Sequence, residues 1–233
     1  MYVNFSEKPW SPLLIGNIVP DDILESMNRG IALIMTSQTC RIRSDFHARL
    51  QHATRPFHSR LESRLRLLDP HLTVDAYRAL LRQFYGFYQP LEDVIGEVAI
   101  GLSGCEAVRR GKVQWLVQDL LALGETERTI AGLPLCMKLP PLMTQASLMG
   151  SLYVVEGATL GGQMVARFLR QSLGDEARRY CRFFVSYGEQ VQPMWAAFLE
   201  ALALVADGPE GERDIIESAC ATFQCFERWL VHA

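Results

Sequence analysis

The sequence predicts an all-α fold on three observations. Apolar residues recur at steps of three, four and seven along most of the chain. No segment of strand length alternates between apolar and polar residues. Helix punctuation falls between the periodic runs, as at Asp69-Pro70 and Thr73. The 233 residues are enough to bury one sizeable core.

Residues 1–40 read as an N-terminal arm, broken by Pro9, Pro12 and Pro20, with one brief helix over 21–35. The helical domain occupies 41–233. Its first helix runs from Phe46 through Leu50, Phe57, Leu61, Leu65 and Leu68 until Asp69-Pro70 stops it. Thr73 caps a second helix whose inward face is Tyr77, Leu80, Leu81, Phe84, Tyr85 and Tyr88. Pro90 is expected to kink this helix before it continues over 91–102. Further helices are expected over 112–123, 142–173, 192–205 and 212–231.

A formal charge of -3 and a pI near 6.0 leave no basic surplus for binding a polyanion, which points away from nucleic acid and towards a small-molecule partner. Apolar runs such as 31–35 are far below the ~20 residues a membrane helix needs, so the expected location is the cytoplasm. Six cysteines without C-x-x-C spacing are expected to be reduced and mostly buried.

Two constellations carry chemistry. His58 and Glu62, four residues apart, share a helix face, where the carboxylate can hold one imidazole nitrogen and leave the other for a metal. The same spacing also fits an ordinary helix pair. The segment GSLYVVEGATLGG, residues 150–162, places Gly157, Gly161 and Gly162 inside the longest expected helix, where each weakens it by ~1 kcal/mol relative to Ala. Something must approach that backbone closely or bend it. Gly150, Gly157 and Gly161 share one face, a side-chain-free strip suited to a flat ring, although a close helix crossing would also ask for small residues. Together the two constellations suit haem, an apolar disc with an anionic edge that wants an axial ligand, apolar walls and nearby cations. Of the arginines crowding the first helix, Arg55 is the first candidate for the propionates, and most of the others read as a solvated face.

HATRPFHSRLE, FYGFYQPLEDVI and LYVVEGATLGGQ, in that order and spacing, resemble the bacterial haem oxygenases from about Arg49 to the C-terminus. The resemblance implies a multi-helix bundle holding haem, which is both cofactor and substrate, between a proximal and a distal helix. It implies His58 as the iron ligand, Glu62 as its partner, and Gly157, Gly161 and Gly162 as the distal contact. It also implies opening of haem with O2 and electrons from a ferredoxin, flavodoxin or reductase, giving biliverdin, CO and ferrous iron. The ATLGGQ ending is similar to members that supply biliverdin to bacterial phytochromes. The chain departs from the family in two places. Ala158-Thr159 stands where other members carry Asp or Ser-Asn, so Thr159 is expected to take part of that role beside Ala158. Gln51 stands where many carry a propionate-binding Lys, and Tyr153 is the candidate for the neighbouring polar contact. A non-catalytic haem carrier or sensor on the same fold is the alternative.

Overall fold

The computed structural model describes residues 38–65, 67–100 and 111–232; the expected arm and its helix over 21–35 lie outside them. The described residues form eight α-helices and no strand. They are α1 (Gln38–Leu65), α2 (Val74–Ile100), α3 (Val113–Ala122), α4 (Glu127–Ala131), α5 (Gln145–Leu173), α6 (Arg182–Val185), α7 (Val191–Val205) and α8 (Gly208–His232). Single 3-10 turns at Asp175–Arg179 and Gly188–Gln190 flank α6.

α1 starts before Phe46 and stops at Leu65, earlier than expected. Leu67 and Leu68 continue the apolar spacing from within a turn, Leu67 packing on the core there, which is why spacing alone overruns the helix. α2 opens with the Thr73 hydroxyl accepting from Ala76 N at 3.2 Å, as its sequence predicts. Tyr77, Leu81, Phe84 and Tyr88 are buried on its inward face, and Leu80 and Tyr85 are half-buried. The helix is assigned without interruption through Pro90 to Ile100. α5 begins at Gln145 because Thr144 and Ser147 exchange side-chain and backbone bonds in a capping box, and it ends at Gly174, whose φ of 83° suits glycine. α4 and α6 escape a reading based on periodicity because five and four residues are too few to repeat a face.

The core joins α2, α6 and α8 through an aromatic cluster. Phe87 and Phe226 stack at 4.2 Å, Tyr88 meets both edge-on, Phe84 meets Phe226 edge-on, and Phe183 meets Phe84 and Tyr88 edge-on. Cys136, Cys181 and Cys225 are buried free thiols and Cys220 is half-buried. α5 and α1 each pack along α8 and hardly on each other. Two long helices that share a partner while staying apart leave a cleft between them.

Candidate functional site

One wall of the cleft is α1. Phe46, Leu50, Thr54 and Leu61 face the core, and His58 sits at the margin of that face with its side chain 31% exposed. Its ring meets Phe223 of α8 edge-on at 5.6 Å. Its Nδ1 lies 3.4 Å from Glu62 Oε2, so the carboxylate four residues on is where the spacing puts it. That arrangement directs the second nitrogen, Nε2, away from Glu62 and makes it the atom available to a metal.

The other wall is α5, whose glycines separate into two kinds. A Cβ at Gly150 would lie 2.4 Å from Ile215 O, and one at Gly162 would lie 2.3 Å from Phe184 O. Both positions are therefore close helix-backbone crossings. A Cβ at Gly157 would touch only the Trp195 ring, at 3.7 Å, and one at Gly161 would meet nothing within 4 Å. The expected strip is thus shorter than the shared face suggests: Gly150 is covered because α8 crosses α5 there, and only Gly157 and Gly161 border open space.

Tyr153, one turn before Gly157, is buried and joins the two walls. Burial pushes its hydroxyl up to about 12, against a hydrogen bond with Thr54 of α1 that pulls the other way. Its ring lies 5.6 Å from Trp195 of α7 and 6.1 Å from His47 of α1. Trp195 and His47 are themselves 6.1 Å apart, so this trio closes one end of the cleft next to Gly157. His47 Nε2 is buried with no hydrogen-bond partner among the described residues, and burial lowers the pKa of the ring. Nothing local in the sequence marks Trp195, which lies on a different helix and in no motif.

Two other expected residues lie differently. Thr159 is buried, and its hydroxyl donates to Glu156 O at 2.7 Å on its own helix, on the side of α5 away from the open glycines. Ala158 is exposed. Among the cations of α1, Arg49 pairs with Glu212, while Arg60 and Arg64 pair with Glu227 at 3.3 and 2.9 Å. Arg55 is exposed and pairs with no carboxylate among the described residues, which leaves it available to an anionic edge.

The side of α5 opposite the open glycines carries a buried ionic group that sequence reasoning missed. Lys112 Nζ lies 2.6 Å from Glu156 Oε1 and 3.0 Å from the Tyr187 hydroxyl. The signal was present as a lone Glu in the apolar run LYVVEGA, where only a buried partner makes a carboxylate tolerable.

α1 thus offers an imidazole and an exposed arginine, and α5 offers a stretch of bare helix backbone. Comparisons with known proteins give a family and a fold. The family model described as "Heme oxygenase" matches residues 44–232. A curated "Heme oxygenase" from Xanthomonas campestris pv. campestris (strain 8004) is 28% identical over 160 residues, 69% of this chain and 92% of that protein. The crystal structure of the NO- and CO-bound heme oxygenase from Neisseria meningitidis superposes with a TM-score of 0.65 at 22% identity, covering 79% of this chain and 89% of that one.

Proposed function

The chain belongs to the haem oxygenase family, and from that premise we propose that the cleft between α1 and α5 seats haem, with His58 as the iron ligand and Gly157 and Gly161 as the opposing wall. The activity is that of the family: haem is cleaved with O2 and external electrons to biliverdin, CO and ferrous iron. The observation that carries the assignment of the site is the space at Gly161, where a Cβ would meet nothing within 4 Å in the middle of a 29-residue helix.

The residues present fit haem. Glu62 Oε2, 3.4 Å from His58 Nδ1, is placed to hold that nitrogen as the donor, which would leave Nε2 for the iron. Bound haem supplies the iron that activates O2 and the ring that is oxidised. The protein keeps the opposite face uncrowded: Gly157 and Gly161 place no side chain over it, and Ala158 supplies no carboxylate beside it. Thr159 acts there only through its helix, since its hydroxyl is engaged by Glu156 O. Tyr153 lines the closed end through its bond with Thr54, and Gly162 supports the wall from behind by its contact with Phe184. Arg55, exposed on α1, is the rim cation for the propionates.

Electrons come from a reductase, ferredoxin or flavodoxin in this reading. No described helix is long and apolar enough to cross a membrane, which supports work in the cytoplasm. The ATLGGQ resemblance supports a phytochrome-type photoreceptor as the recipient of biliverdin.

Mixing the protein with haemin, a reducing system and O2 tests the reading. Biliverdin absorbance, CO and chelatable ferrous iron should appear together. Haem that stays bound and intact through the reaction would instead make the chain a carrier or sensor.

A further inference from the structure

The buried ionic group behind the open glycines has no part in the chemistry above, yet it is the most demanding arrangement in the molecule. Lys112 and Glu156 side chains are only 2% and 5% exposed, and removing two charges from water so completely offsets much or all of their attraction. Tyr187 completes the group, its hydroxyl 3.2 Å from both Glu156 oxygens. Each member is anchored to a different element. The backbone N–H groups of Lys112 and Val113 donate to Glu92 of α2, which fixes the start of α3. Tyr187 lies in the turn after α6, beside Ser186, whose φ of 51° is rare for a residue with a side chain. That turn is sewn to α5 at further points: Gln163 Nε2 donates to Val185 O at 3.1 Å and to Gly188 O at 3.2 Å, and Gly162 lies against Phe184 O.

We propose that Lys112, Glu156 and Tyr187 form a positioning clamp that fixes the rotation and height of the Gly157–Gly161 turn of α5 over the substrate. The proposal rests on the reading of the α1–α5 cleft as the haem site. Glu156 directly precedes Gly157, and the contacts at Glu156, Gly162 and Gln163 bracket the open turn on the face turned away from the cleft. A stretch containing Gly157, Gly161 and Gly162 has weak intrinsic preference for one helical path. Apolar packing is non-directional and tolerates sliding, whereas an ion pair with a phenol across it accepts one geometry. The clamp therefore supplies direction more than stability, and its members are positioning residues that touch neither ring nor iron.

The test compares wild type with Lys112→Met/Glu156→Leu, which replaces the pair by apolar groups of similar volume, and with Tyr187→Phe, which removes one hydroxyl. The double variant should melt within about 3 °C of wild type, because losing both charges together leaves neither uncompensated. Haem should still bind with the wild-type axial-ligand spectrum. Turnover should fall about 10- to 100-fold, the scale of a small misplacement in a preorganised site. The ratio of biliverdin isomers and the CO stretching frequency of the ferrous complex should shift, which loss of stability alone would not produce. In the haem-free protein, amide hydrogen exchange over 157–161 should speed up by about tenfold or more relative to 150–154. Tyr187→Phe should move every readout the same way by less, and it decides the matter if the double variant does not fold. Wild-type exchange, isomer ratio and CO frequency in a folded variant would overturn the clamp. If wild type itself takes up no haem, the reading of the site fails, and the exchange measurement still decides the clamp separately.

Discussion

Gly150 and Gly162 on one hand, and Gly157 and Gly161 on the other, belong to the same helix and look alike in sequence, but their surroundings are opposite. The first pair brings backbones together: a Cβ would land 2.4 Å from Ile215 O or 2.3 Å from Phe184 O. The second pair borders space, touched only by Trp195 at 3.7 Å. A glycine-rich helix therefore has two separable reasons for its composition, one met by the fold and one, in the proposed reading of the site, left for a ligand.

The largest effect that tests this difference is on stability. Gly150→Ala and Gly162→Ala should each cost about 2–3 kcal/mol, since the blocking atoms are backbone and cannot rotate away. Thermal melts of the haem-free variants measure it. Unchanged melting would erase the distinction between the two pairs.

Gly161→Leu should do the reverse. Its stability should equal wild type or exceed it by up to about 1 kcal/mol, because a helix-favouring residue enters open space. Conversion of haem should nevertheless fall about 10- to 100-fold, since the side chain takes room reserved for the ring and O2. Early unfolding together with normal turnover of the folded fraction would class Gly161 with Gly150.

Much of this was legible in the sequence. The all-α class and the long helices follow from periodicity, and the pairing of His58 with Glu62 follows from a spacing of four on a helix. The division among the glycines was not legible, because Gly150 and Gly161 share a face and only the course of α8 decides which is covered. Trp195 and Lys112 belong to the same class of omission. Their importance comes from neighbours 38 to 44 residues away, namely Gly157, Tyr153 and Glu156, in contacts that a local pattern does not encode. Thr159 shows the opposite error: it stands beside the right glycine in sequence, but the turn of the helix carries its hydroxyl to the far side.

The central claim is that His58, held by Glu62 across the cleft from the open glycines, carries the haem iron. Optical titration of haemin into wild type and His58→Ala tests it most directly. Wild type should saturate at one haem per chain with a histidine-ligated spectrum, ferric and ferrous. His58→Ala should lose that spectrum, and added imidazole should restore it in part, because the vacated cleft admits the free ligand. An unchanged spectrum with unchanged turnover in His58→Ala would contradict the account and transfer the ligand to another histidine, with His47 and its buried, unpartnered Nε2 the first to examine.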